Sequence, residues 1–184
     1  MYAGKLVRLR EPRKNDLEKT RAFLNDCETR DYMNPGIAYP YTAADAEKWF
    51  EKISANHDTY HFAIETLDTG KYIGGCGINV VNWKIRAAEL EIFIGDKDYR
   101  GKGYGTDAIE VLIDFCFSEM NLNKIILMVH SFNERALRCY EKCGFSVEGV
   151  LRREVFRHGR YYDRIAMGLL REEWEACSRG SEEA

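Results

Sequence analysis

Hydrophobic and polar positions run along the chain with two periods, and their order predicts the elements. Leu6, Arg8 and Arg10 alternate with Lys5, Val7 and Leu9, an opening strand that Pro12 ends. Asn15 is placed to cap a helix carrying Leu17, Arg21 and Leu24 at helical spacing. Residues 30–41 (RDYMNPGIAYPY) read as an irregular aromatic connection and a candidate substrate wall. Thr42, with Asp45 three residues on, signals a helix start; Ala46, Trp49, Phe50 and Ile53 then form a stripe assigned to the core. Strands over 61–66 and 71–81 flank a turn at Asp68-Thr69-Gly70. A third strand, 86–94, puts Leu90, Ile92 and Ile94 on one face and Glu89, Glu91 and Phe93 on the other. A largely apolar helix follows over 104–119, then a central strand over 124–129. A helix opened by Asn133 stops at Gly144, and two closing strands, 145–156 and 160–170, meet at His158-Gly159. The order predicts an α/β (α+β) fold with a mixed sheet, since antiparallel runs broken by one β-α-β unit fit no doubly wound fold.

The chain has 184 residues without repeat, linker or low-complexity tract, so one domain over 1–177 is expected, with a frayed tail at 178–184. Its net charge of −3 carries no basic excess, and nucleic acid is not expected as a partner. No apolar run reaches the ~20 residues of a membrane span, and no signal-peptide core opens the sequence. A cytoplasmic chain with no membrane partner is expected. Cys27, Cys76, Cys116, Cys139, Cys143 and Cys177 form no paired C-x-x-C array, so no metal site and no disulfide are assigned.

The first chemistry lies after Ile94. Glycines at 101, 103 and 105 lead into a helix starting near Tyr104, which makes an anion site from first-turn N–H groups and the helix dipole. Arg100 and Lys102 add positive charge. A Walker A loop is excluded, because Gly95 to Gly101 leaves five residues where four are needed and Gly103 stands at the Ser/Thr position. The spacing G-x-G-x-G also excludes the Rossmann fingerprint.

Tyr99-Arg100-Gly101-Lys102-Gly103-Tyr104-Gly105-Thr106 resembles the pyrophosphate loop of the GCN5-related N-acetyltransferases (GNAT), with Arg100, Gly103 and Gly105 at its fixed positions. The stretch from Asn133 through Ala136 and Tyr140 to Gly144-Phe145 resembles that family's second signature. The resemblance covers nearly the whole chain and is closest to the ribosomal-protein-alanine (RimJ/RimL-like) and spermidine acetyltransferases. It implies a mostly antiparallel sheet of six or seven strands, flanked by helices, whose two central strands splay apart. It also implies acetyl-CoA as cosubstrate. Backbone groups at Ile92, Phe93 and Ile94 would pair with the pantetheine arm, residues Arg100 to Thr106 would hold the pyrophosphate, and Asn133 would contact the arm. Tyr140 falls where the family places the proton donor to the leaving thiolate.

Attack on a thioester requires a neutral amine, and Glu89 and Glu91 suit the role of proton acceptor, directly or through water. A backbone N–H at Ile92 or Phe93 would stabilise the charge on the carbonyl oxygen. His130 and the basic stretch Arg152, Arg153, Arg157, His158, Arg160 and Arg164 are assigned to structure and to a solvated hairpin. The expected reaction is acetyl transfer to a primary amine: a protein N-terminus, a polyamine or another small amine. MNPGIAYPYT lacks the carboxylates expected for a polycation, while Tyr32, Met33, Tyr39 and Tyr41 suit a peptide N-terminus or small amine. The alternative is a catalytically idle acyl-CoA sensor on the same fold. A homodimer is compatible with the closing hairpin.

Overall fold

The computed structural model describes residues 2–33, 36–37, 39–55 and 59–182, with side chains as far as Cys177. Seven strands form one sheet in the order β1-β2-β3-β4-β5-β7-β6. They are β1 (Val7–Arg10), β2 (Tyr60–Thr66), β3 (Tyr72–Asn82), β4 (Ala87–Ile94), β5 (Lys124–His130), β6 (Ser146–Arg157) and β7 (Arg160–Leu170). Every neighbouring pair is antiparallel except β4 and β5. The helices are α1 (Leu17–Asn25), α2 (Cys27–Met33), α3 (Ala43–Ala55), α4 (Tyr104–Asp114), α5 (Glu134–Lys142) and α6 (Arg171–Glu182). The mixed, mostly antiparallel sheet is the one expected.

The core lies between the sheet and α4, where Ala108, Ile109, Leu112 and Ile113 meet Ile64, Ile78 and Leu90, all at most 3% exposed. Each such large aliphatic side chain contributes about 1.5–3 kcal/mol on burial. α4 continues into one wide π turn at Phe115–Glu119, with Met120 N–H donating to the Phe115 carbonyl at 3.1 Å. There Phe115 meets the rings of Tyr2, Tyr60 and Phe62, with centroids 5.0, 5.6 and 5.3 Å away.

Three local expectations change. Asn15 does not open α1: a 3-10 turn at Lys14–Asp16 precedes it, and Asp16 is drawn into an ion pair with Arg10. Residues 30–33, read as part of an irregular connection, belong to α2, because Asp26 caps it by accepting from Thr29 N–H and Oγ1–H, both at 2.9 Å. Asn34, Pro35 and Ala38 of that stretch lie outside the described residues. The tail expected to fray from 178 is helical in backbone to Glu182. Arg171 ties that helix down by donating to the carbonyls of Leu122 and Phe117, and Trp174 packs on the Phe117 ring at 5.2 Å. Residues 183–184 lie outside the described residues.

Asp107, in the first turn of α4, is 7% exposed and accepts from the N–H groups of Lys5, Leu6 and Val7 at 2.8, 2.8 and 2.9 Å. One carboxylate therefore joins the chain's start to the helix that carries the glycine loop. Asp107→Ala strands donors whose bonds to a charged acceptor contribute about 1.5–3 kcal/mol each. Partial rehydration limits the expected loss to about 2–3 kcal/mol in urea unfolding, with Asp107→Asn falling less.

Candidate active site

The sheet opens at its centre. β4 and β5 pair only at Ala87↔Lys124, Ala88↔Ile125 and Glu89↔Ile126. Beyond Glu89, β4 stays with β3 as far as Gly74↔Ile94, while β5 follows β7 as far as His130↔Arg164. The edge of β4 from Leu90 to Ile94 thus faces a gap, leaving backbone groups for a ligand to pair with. A cavity of about 980 Å³ fills the split and runs onto both faces of the sheet.

The glycine loop forms one wall. Gly101 and Gly103 have φ of 71° and 90°, a left-handed conformation that side chains with a Cβ adopt only with strain. Gly103 caps α4 on its N-terminal side, so the first-turn N–H groups of that helix lie at the cavity wall without helical acceptors. Gly101, Gly103, Gly105 and Thr106 line the cavity.

The charges at the loop differ from the expectation. Arg100 lines the wall, but its side chain is only 7% exposed. It donates to the carbonyls of Ile94 and Gly95 at 2.8 and 2.9 Å and to Thr29 Oγ1 at 2.6 Å, and it meets Glu28 at 3.2 Å. Its guanidinium satisfies the carbonyls where β4 ends and ties α2 to the loop. Lys102 and Tyr104 do not line the cavity: Lys102 is exposed, and Tyr104 sets its ring edge-on to Tyr99 at 5.0 Å. At this loop the cavity wall therefore presents mainly backbone groups rather than side-chain charge.

Across the split, α5 brings Asn133, Ala136, Cys139 and Tyr140 to the cavity. Asn133 caps the helix through its side-chain oxygen, which accepts from Ala136 N–H at 3.3 Å. Tyr140 is 9% exposed, with its ring against Phe145 at 6.0 Å. Burial, with Cys139 and Cys143 alongside, pushes its phenol up, so it stays protonated at neutral pH. Its hydroxyl has no hydrogen-bond partner among the described residues.

Glu89, Glu91 and Phe93 share the opposite face of β4 and line the cavity, as alternation predicts. Glu91 accepts from Asn79 Nδ2 at 2.5 Å and has His61 Nδ1 3.7 Å away. Trp49, assigned to core packing from its helical spacing, lines the cavity and sets its ring edge-on to His61 at 6.0 Å. Sequence reasoning missed His61 because it falls at the start of a strand with no motif around it. Tyr32, Met33, Tyr39 and Tyr41 form the outer wall, so the expected aromatic segment does border the cavity. His130 is 4% exposed and packs on Phe132 at 5.2 Å; burial, with Arg157 and Arg164 nearby, holds it below the usual histidine range. In the basic hairpin, Arg157 donates to the Gly36 carbonyl at 3.1 Å and His158 meets Asp31 at 2.7 Å, so its tip is joined to α2 rather than only solvated. No helix is long and apolar enough to cross a membrane among the described residues. Nor do those residues gather three or more groups that could hold a metal ion.

Comparison with known proteins matches this arrangement. Residues 7–146 fit the acetyltransferase (GNAT) domain family. Spermidine N(1)-acetyltransferase of Escherichia coli K12 is 31% identical over 177 residues, covering 96% of this chain and 92% of that protein. A putative ribosomal N-acetyltransferase of Bacillus subtilis is 26% identical, covering 92% of each. The crystal structure of spermidine N-acetyltransferase from Vibrio cholerae in complex with CoA and spermine superposes with a TM-score of 0.84 at 29% identity, covering 92% of this chain and 98% of that one. With a family model matching most of its length, a sheet split at the matching strands and a glycine loop at the head of α4, the chain belongs to the GNAT acetyltransferases.

Proposed function

We propose that this acetyltransferase binds acetyl-CoA in the split between β4 and β5 and acetylates a small cationic primary amine entering from the Glu91 face. One observation carries the reading: a single cavity joins the glycine loop, the unpaired edge of β4, the Tyr140 hydroxyl and the Glu89–Glu91 face. The first-turn N–H groups of α4 and the loop at 101–106 hold the pyrophosphate through backbone donors and the helix dipole. Backbone groups of Ile92, Phe93 and Ile94 pair with the amides of the pantetheine arm as an added strand would. Tyr140, protonated and open to the cavity, supplies the proton to the departing thiolate. The amine approaches between Trp49, the aromatic outer wall and the carboxylates of Glu89 and Glu91, which together favour a positive charge. The similarity to spermidine acetyltransferases supports polyamines within this class, and the similarity to a ribosomal N-acetyltransferase keeps peptide N-termini in the test panel.

The purified protein is expected to release CoA from acetyl-CoA when offered amines, as read by thiol detection across polyamines, small monoamines and N-terminal peptides. Polyamines and short diamines are expected to give the highest kcat/KM. Tight acetyl-CoA binding without CoA release across the panel would establish the idle acyl-CoA sensor instead.

A further inference from the structure

His61 and Glu91 form an arrangement that the sequence motifs do not assign. They lie on β2 and β4, two strands apart, joined in register through one residue of β3: His61 pairs with Gly77, and Gly77 with Glu91. Neighbouring strands stand about 4.8 Å apart, so side chains two strands apart meet only if nothing rises between them. The residue between them is glycine. A Cβ at Gly77 would lie 3.1 Å from His61 Nδ1 and 2.4 Å from the Tyr60 carbonyl oxygen. Its absence lets the imidazole lie over the strand toward Glu91. Gly75 does the same for the Phe93 ring, 3.0 Å from where its Cβ would stand. β3 thus presents a floor of glycines to the face where the amine enters.

From this geometry, and resting on the acetyltransferase reading above, we propose that His61 is the proton acceptor for the amine, with Glu91 holding and charge-stabilising the imidazole. Glu91 is the first residue on this face past Glu89, where β4 and β5 part company. Its carboxylate is fixed on one oxygen by Asn79 and turns the other toward His61 Nδ1 at 3.7 Å. That is an ion-pair distance, which shortens once the ring carries a proton. His61 Nε2 has no hydrogen-bond partner among the described residues, and His61 lines the cavity. Trp49 closes over the ring edge, leaving the side chain 11% exposed. Three influences act on the ring: burial, which favours the neutral form most strongly, Glu91, which favours the charged form, and Lys52 of α3, which opposes it. The net result is a histidine held below its ordinary value and therefore neutral, able to accept a proton, at pH 7.

The protons then balance. His61 takes one proton from the ammonium and passes it to solvent. The freed lone pair forms the N–C bond to the acetyl carbon as the C–S bond breaks. The nitrogen loses its second proton to His61, which passes it to solvent as well, while Tyr140 gives its proton to the sulfur and recovers one from solvent. One proton is released per turnover.

His61→Ala is expected to lower kcat/KM for the amine about 100-fold with acetyl-CoA affinity unchanged, and added imidazole is expected to restore part of it. The charge neighbours give opposite signs. Glu91→Gln removes the group that raises His61 and is expected to move the acid limb of the kcat/KM profile to lower pH. Lys52→Met removes the opposing charge and is expected to move it to higher pH. The imidazole resonances of the free protein, followed by NMR, should show the same two displacements without any substrate. Unchanged kcat/KM in His61→Ala, or NMR titrations that do not move in opposite directions, would overturn the proposal. Wild-type protein inactive on every amine would instead overturn the acetyltransferase reading, while the NMR titrations still judge the pair.

Discussion

Replacing Tyr140 by phenylalanine is expected to lower turnover about 10²- to 10³-fold while acetyl-CoA affinity changes by less than about 3-fold. The reason is the pairing of a packed ring with an unengaged hydroxyl. The ring is held against Phe145 and the core, so phenylalanine occupies the same space and the fold of α5 is unaffected. The hydroxyl holds no other described residue in place and Tyr140 lines the cavity, so its removal takes away chemistry and little structure. Because burial pushes the phenol up, it is a donor throughout the neutral range and cannot be the base. A loss in kcat with kcat/KM falling in parallel marks an interaction made only in the transition state. CoA release under saturating acetyl-CoA, alongside calorimetric titration of acetyl-CoA, reads both quantities. Equal turnover in the two proteins would remove Tyr140 from the mechanism.

The largest expected effect on stability lies elsewhere, under α1. Arg10 is 5% exposed and donates to Asp16 through Nη1 and Nη2 at 2.8 and 2.9 Å and to Glu65 through Nε at 2.5 Å. Arg8, on the same face of β1 and paired in register with Glu65, reaches it through Nε at 2.6 Å. Arg10→Ala would leave Asp16, 7% exposed, without its charged partner and Glu65, 4% exposed, with Arg8 alone. Removing one partner of a buried ion pair costs about 3–5 kcal/mol, far more than a surface pair contributes. A fall of that size in urea-derived unfolding free energy is expected, and a change below about 1 kcal/mol would show that water reaches the pair. The same cluster sets the acid side of the stability profile. Burial would raise Asp16 and Glu65, but the arginines outweigh it and hold both below their ordinary values. A carboxylate depressed on folding contributes its full stability above its unfolded value, about 3.9 for Asp and 4.3 for Glu. That contribution is lost as pH falls through the folded values, so wild-type stability should decline below about pH 4.5, and Arg10→Ala should flatten the decline.

Much of the architecture was readable from local pattern. The alternation of Glu89, Leu90, Glu91 and Ile92 assigned both faces of β4, and the structure keeps them. Thr42 and Asp45 form the reciprocal cap their spacing predicts, with Asp45 N–H donating to Thr42 Oγ1 at 3.1 Å and Thr42 N–H to Asp45 Oδ2 at 2.9 Å. Gly144 takes φ of 92° at the helix end where glycine was read as a stop, and Gly103 takes 90° in the loop where glycine was read as backbone freedom. These signals are local because capping, alternation and backbone permissiveness each act within about four residues.

What local pattern missed depends on partners far apart in the chain. Arg100 reads as loop charge alone, and its bonds to Thr29 and Glu28, some seventy residues earlier, have no signal in the sequence. Asp107 reads as an ordinary first-turn acid, yet it holds backbone a hundred residues away. Trp49 has core spacing but lies on the cavity, because helical period identifies an inward face without saying whether that face meets packing or space. His61 acquires its neighbour only through the register of three strands and the missing side chain at Gly77. Motif and period are written in adjacent residues and survive reading in one dimension. The charge partners and the cavity depend on strand register and helix packing, which bring distant residues together only when the sheet forms.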